Sequence, residues 1–267
     1  MYKLIFFIFG LVIGSFLNCL IYWLESENKL VSGKERTSLL GRSFCPHCGH
    51  QLAWHDLIPV LSFIFLKGKC RYCKKPISWQ YPLVETATGV LFVLVTTYSH
   101  QFLIYNTYFF LDLIYYLLIA CFLIVIFVFD FKHYIIPDKV IYSSIVITLI
   151  YDFQYLFLGQ SLVFRNFVLT ALGASLFFLL IFLITRGRAM GFGDVKLAFF
   201  VGLFLGWPNT LVAIFLSFLI GAIIGVGLIL AGKKGLKSEV PFGPFLVTAT
   251  LITLFWGTQI INWYLGL

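Results

Sequence analysis

The chain has 267 residues, of which 61% are hydrophobic and 11% charged, with a formal net charge of +8. Soluble domains average about 45–50% apolar and about 25% charged, so this chain lacks the polar surface to coat a water-soluble globule. Apolar stretches of about 18 residues or more recur along it, which excludes a soluble enzyme, a secreted disulfide scaffold and a disordered chain, and predicts an all-α polytopic membrane protein.

Eight apolar segments follow in order: residues 4–24, 83–99, 108–129, 139–158, 166–185, 195–206, 210–231 and 244–264. The first, within residues 1–24, has a long apolar core and no small-residue cleavage site after it. It reads as a spanning helix and not as a removed signal. Residues 25–82 are the one sizeable polar region and predict a small domain. Residues 83–267 then form a membrane domain of seven helices. Its segment 195–206 is too short for a full crossing. Twelve residues at about 1.5 Å each reach about 18 Å, against a hydrocarbon core of about 30 Å. Gly206-Trp207-Pro208-Asn209 ends it, since Pro lacks a donor and Gly and Asn favour turns. A short span sets the polar residue at its start, Asp194, below the bilayer surface.

The basic residues give the orientation. With Met1 outside, the inner segments and their flanks carry 17 of the 19 Lys and Arg, and only Lys3 and Arg165 fall outside. The positive-inside rule favours that topology over its mirror image. The positive charge is therefore read as topology and not as a nucleic-acid surface.

The polar region contains Cys45-Pro46-His47-Cys48 and Cys70-Arg71-Tyr72-Cys73. Two thiolates on one tight turn can grip a metal ion, and a second such turn closes a tetrahedron. On the cytosolic side disulfides rarely persist, so zinc held by Cys45, Cys48, Cys70 and Cys73 is the expectation. A redox pair or free thiols are the alternatives. His47 and His50 are near enough to compete, but four cysteines fill a structural site, which has no open position for activating water. Cys19 and Cys121 lie in apolar spans as small core residues. Trp54 and the run from Leu57 to Leu61 are expected to pack the stapled region or touch the membrane surface.

Ionisable residues within spans are costly and are functional candidates. The acids in or beside the spans are Glu85, Asp112, Asp130, Asp138, Asp152 and Asp194. Span parity puts Asp112 and Asp152 at outer ends and the other four at inner ends, where they can cluster. Asp130 to Asp138 joins two spans tightly, and Gly191-Phe192-Gly193 leads directly into Asp194. Glycine lets a backbone approach another chain closely. Two carboxylates held together share a proton and can activate water while protonating a carbonyl, the chemistry of aspartic proteolysis. Helix capping is the plainer reading of each aspartate. It fits Asp138 best and Asp130, at a helix C-terminal end, worst. Lys196 either tunes the pair and holds substrate backbone or snorkels to the interface. Glu85 pairs with a basic group, assists a second, group-transfer activity, or simply starts a helix. A proton- or cation-coupled transporter is the main rival, though such proteins usually interrupt helices in both of two related halves, and only one interruption occurs here.

The chain resembles the bacterial type IV prepilin peptidases, membrane aspartic proteases of the GxGD class. The resemblance rests on six motifs in order over nearly the whole chain. They are Gly14-Ser15-Phe16-Leu17-Asn18, the cysteine knuckles, Tyr81-Pro82-Leu83-Val84-Glu85, Asp130 through Asp138, Gly191 through Lys196, and Pro241-Phe242-Gly243-Pro244. Two departures are Trp23, where an Arg is common, and the lack of a Pro before the first knuckle. The resemblance implies cleavage of the basic leader of prepilins or pseudopilins after a glycine, at the cytosolic face of the bacterial inner membrane. It implies Asp130 and Asp194 as the catalytic pair, with Asp138, Lys196, Glu85, Gly191 and Gly193 in support. Many members also methylate the freed amino terminus with S-adenosylmethionine, and the cysteine loop marks that two-activity form.

Overall fold

The computed structural model describes residues 2–28, 43–100, 109–188, 190–232, 235 and 240–266. Residues 29–42 of the predicted polar domain lie outside that set. The helices are α1 (Tyr2–Glu27), α2 (Leu61–Phe65), α3 (Gln80–His100), α4 (Phe109–His133), α5 (Asp138–Phe157), α6 (Ser161–Thr185), α7 (Phe192–Leu205), α8 (Asn209–Leu230) and α9 (Gly243–Leu265), with a 3₁₀ turn at Trp54–Asp56. No strand occurs among the described residues, only isolated bridges between Phe44 and Gln51 and between Lys69 and Pro76.

Each apolar segment of the sequence has its helix. Seven helices are long and apolar enough to cross a membrane. The eighth, α7, has 14 residues, as the short sixth segment requires. Large apolar side chains such as Phe110 and Leu230 are 75% and 83% exposed, as suits a surface that faces lipid.

Residues divide into two compact units, Met1–Val125 and Ile126–Leu267, with the boundary inside α4. In the first, α1 and α3 touch backbone to backbone. A Cβ on Gly10 would stand 2.7 Å from the Cα of Gly89, and one on Gly14 the same distance from the Cα of Glu85. Helices in lipid lack a hydrophobic drive to associate, so small residues that permit such approach supply the packing.

In the second unit α7 is the centre, packed by α5, α6, α8 and α9. Ten of its fourteen residues are buried. Gly202 lies against α6 so closely that a Cβ there would come within 2.5 Å of the Cα of Ala171. After α7 the chain turns at Gly206, with φ of 64°. The Asn166 side chain of α6 holds the turn. Its Oδ1 accepts the Trp207 N–H at 2.9 Å. The glycines of α8 behave unevenly. Gly221 meets Phe245, whereas Gly225 and Gly227 have open space around them, so close packing does not account for those two.

These contacts make a paired prediction. Gly202→Leu should lower the thermal midpoint of the protein in detergent, at a cost of about 1–3 kcal/mol or more, because the added side chain meets backbone. Gly173→Leu, on α6 with nothing within 4 Å, should leave it nearly unchanged.

Candidate active site

The last turn of α4 carries Asp130. The helix ends because Pro137 bars continuation and pushes Ile136 towards extended backbone. Tyr134, with φ of 58°, reverses the chain and donates its N–H to the Asp130 carbonyl at 2.9 Å. The tight joint then starts α5 at Asp138. Asp130 is 5% exposed although it sits on an apolar helix. Its side chain meets the start of α9. The Gly243 N–H donates to the carboxylate, and a Cβ on Gly243 would stand 2.5 Å from Oδ2. That Oδ2 is buried and has no hydrogen-bond partner among the described residues. Phe242 packs with Phe178 of α6 and Phe218 of α8, at ring-centroid distances of 5.6 and 5.1 Å, and so anchors the start of α9.

Asp194 occupies the first turn of α7 and is 8% exposed. Its Oδ2 accepts the Gly191 N–H at 3.2 Å. The capping role foreseen for it is therefore real, and it aims the carboxyl back over the helix start. Asp194 also feels the charge of Asp130, so two acids from different helices converge in one apolar interior. Of the two glycines before Asp194, packing demands Gly193. A Cβ there would press on the Cβ of Ile136 at 3.2 Å, whereas one on Gly191 would meet nothing closer than 3.7 Å.

Asp138 does not join the buried pair. Its side chain is 65% exposed and takes the Lys196 ammonium at 2.6 Å, clipping α5 to α7. Lys196 also lies over the rings of Tyr142 and Phe192, at 5.0 and 5.4 Å. The amine thus has a defined seat and is not a freely snorkelling one.

In the first unit the two cysteine knuckles are built alike. Cys45 N–H donates to the His50 carbonyl and Cys70 N–H to that of Lys75, and Gly49 and Lys74 each take a positive φ just after the second cysteine. The four sulfur atoms lie within 4.8 Å of one another. Cys45 Sγ and Cys73 Sγ are 3.9 Å apart, close to the edge of about 3.8 Å for sulfurs placed tetrahedrally about zinc at about 2.3 Å. All four are free thiols. The Cys73 N–H, with that of Tyr72 and against partial burial, pulls the Cys70 thiol down to about 7, while burial pushes Cys45 up to about 11. Neither histidine enters the cluster, and the His50 ring instead packs tilted against that of Tyr72, with ring centroids 3.6 Å apart. Trp54 is 78% exposed and does not pack the stapled region. Glu85, 6% exposed, accepts the Val60 N–H at 2.7 Å.

Residues 8–99 match the bacterial peptidase A24 N-terminal domain, and residues 117–226 match the type IV leader peptidase family. The chain belongs to the type IV leader peptidase family. Similar relatives are named prepilin leader peptidase/N-methyltransferase. One from Legionella pneumophila is 34% identical, covering 97% of this chain and 93% of the relative. One from Aeromonas hydrophila is 31% identical over 97% and 92%. One from Bacillus subtilis (strain 168) is 31% identical over 98% and 97%. No solved structure matches the chain. Membership in a peptidase family disfavours the transporter reading.

Gly243 was quoted in the sequence only as part of a motif, and its fit against Asp130 needed coordinates to be seen. In a peptidase of this family, Gly243→Ala should displace the Asp130 carboxyl. A shift of about 1 Å in a reacting group can cost about 100-fold, so turnover of a precursor should fall by roughly that factor with the protein still folded. Unchanged turnover would separate Gly243 from the chemistry.

Proposed function

We propose that this chain is an aspartic endopeptidase of the membrane that removes the basic leader of type IV prepilins or pseudopilins after a glycine, with Asp130 and Asp194 as its catalytic pair. The reading is supported above all by one observation. Two carboxylic acids from α4 and α7 are buried together in an apolar bundle, and one oxygen of Asp130 has no hydrogen-bond partner among the described residues. Water held between such acids loses a proton to the ionised carboxylate as its oxygen attacks the scissile carbonyl. The protonated acid gives its proton to the carbonyl oxygen. Collapse of the resulting diol breaks the C–N bond, and the amine departs with a proton returned by the first acid. No metal and no nucleophilic side chain is needed. Gly243 N–H and Gly191 N–H orient the two carboxyls, and the Asp138–Lys196 pair holds α5 against α7. Glu85, in the first unit, is assigned no part in proteolysis.

The distribution of Lys and Arg supports an outer amino terminus and an inner, cytosolic site in the bacterial inner membrane. A prepilin then enters laterally, its apolar helix in lipid and its basic leader at the inner surface.

The names of the relatives extend the proposal to a second activity, methylation of the new amino terminus. S-Adenosylmethionine supplies an electrophilic methyl group, which the freed amine takes as the sulfonium C–S bond breaks and the nitrogen sheds a proton. The four thiols fit zinc by donor type and spacing, and they would hold it as a structural ion that shapes the polar domain.

Incubation with a synthetic precursor, followed by mass analysis of the product's amino terminus, tests both halves. Asp130→Asn and Asp194→Asn should each lower leader removal by about 10³-fold or more while the protein remains inserted. Wild-type cleavage by either variant would remove that residue from the mechanism. Purified protein should carry about one zinc per chain, and Cys45→Ser should lose it. Metal-free protein with intact fold would contradict the zinc assignment.

A further inference from the structure

The polar region of the first unit shows apolar side chains on its outside. In α2, Leu61, Ile64 and Phe65 share one face by their spacing, and all three are exposed, Phe65 by 80%. Phe63 is the α2 residue that packs. Its ring lies 4.9 Å from that of Trp79 and closes on Gly68, where a Cβ would stand 3.2 Å away. Trp79 keeps 70% of its own surface exposed, and Trp54, before α2, is exposed as well. Of the two places foreseen for Trp54, the stapled region is excluded, and the membrane surface is left.

This surface cannot stand far out in water. The turn before α2 is tied to a spanning helix, because Val60 donates its N–H to the Glu85 carboxylate at 2.7 Å. Glu85 lies in the second turn of α3. It also abuts α1, where a Cβ on Gly14 would stand 2.7 Å from the Glu85 Cα. Both helices are long and apolar enough to cross a membrane, so α2 begins at the level of their spans. Trp79 stands one turn before Leu83, which is exposed on α3. Through the contact of Trp79 with Phe63, the apolar outer side of α3 continues onto α2. Basic residues border that surface. Lys67 and Lys69 follow α2 directly and Lys74 follows the second knuckle, and all three are exposed.

We propose that α2, with Trp54 and Trp79, lies in the headgroup layer of the bilayer. Its apolar side chains sit among the upper acyl segments, and Lys67, Lys69 and Lys74 meet the phosphates of anionic phospholipids. Trp favours that layer, where one end of the side chain meets hydrocarbon and the other is wet. A lysine stem lies along apolar surface while its ammonium reaches outward to a phosphate. Each lysine near an anionic surface strengthens the hold roughly fivefold. A second copy of this chain would set the same lysines against one another, and a basic peptide would be repelled likewise. The spanning helices already keep the chain in the membrane, so attachment is not what the contact adds. The two knuckles precede and follow α2 in the chain, and the contact fixes their height and tilt against the bilayer.

A benzophenone side chain at position 65 reports what covers α2. The full chain is placed in nanodiscs of an equal mixture of phosphatidylcholine and phosphatidylglycerol, irradiated, and its adducts read by mass. Phospholipid adducts should dominate, with phosphatidylglycerol ahead of phosphatidylcholine by about threefold or more. Lys67→Gln, Lys69→Gln and Lys74→Gln together should bring that ratio down to the mixture's own while lipid adducts persist. Adducts to a second chain, or no lipid adduct at all, would overturn the proposal. A ratio equal to the mixture's with the lysines in place would overturn their contact with phosphate. A second measurement needs no label. Lipids brominated in the upper acyl chain should quench Trp54 in the wild-type protein, read as the share of quenching that disappears in Trp54→Phe. No such share would put the indole in water and end the proposal.

Discussion

A helix of 14 residues cannot cross a bilayer, and it cannot face lipid at its ends without leaving backbone groups unsatisfied. In this protein α7 meets that constraint by being wrapped by four other helices. Much else in the second unit follows. The wrapping demands small residues where backbones meet, hence Gly202 on Ala171 and Gly193 on Ile136. It buries the start of α7, where Asp194 can cap the helix and still stand in an apolar interior. A carboxyl buried there is expensive, and the proposed pairing with the second carboxyl on α4 gives it a purpose.

Much of this was legible in the chain. Hydropathy located the seven long helices and the short α7, but not the short α2, since a spanning segment must be apolar along its length. The shortness of α7 could be read from its Gly-Trp-Pro-Asn stop. Asp130 and Asp194 stood out because acids inside apolar runs are rare, and span parity put them on one side. The four cysteines were visible because paired knuckles carry their geometry in their spacing. What stayed hidden depends on side chains meeting across helices. The Lys196–Asp138 pair joins residues 58 positions apart, and no local pattern announces it. Gly243 looks like any glycine before a helix until its hydrogen atoms are seen against Asp130.

The two units divide chemistry as well as structure. The second contains Asp130, Asp194 and the short helix. The first contains the thiol cluster and Glu85. The family comparisons divide the chain in a related way, with one match over residues 8–99 and another over 117–226. Glu85 illustrates why parity alone cannot assign a carboxyl. Parity grouped it with the aspartates, yet its described partners are Val60 and Ser15, both in its own unit.

The contact between Gly202 and Ala171 constrains traffic as well as stability. Where two backbones touch, no rotamer change can open a path, because nothing lies between them that could swing aside. Under the proposed lateral entry, a hydrophobic guest therefore cannot part α6 from α7 at this contact. Its doorway has to be a seam closed by side chains, which can rotate away and return.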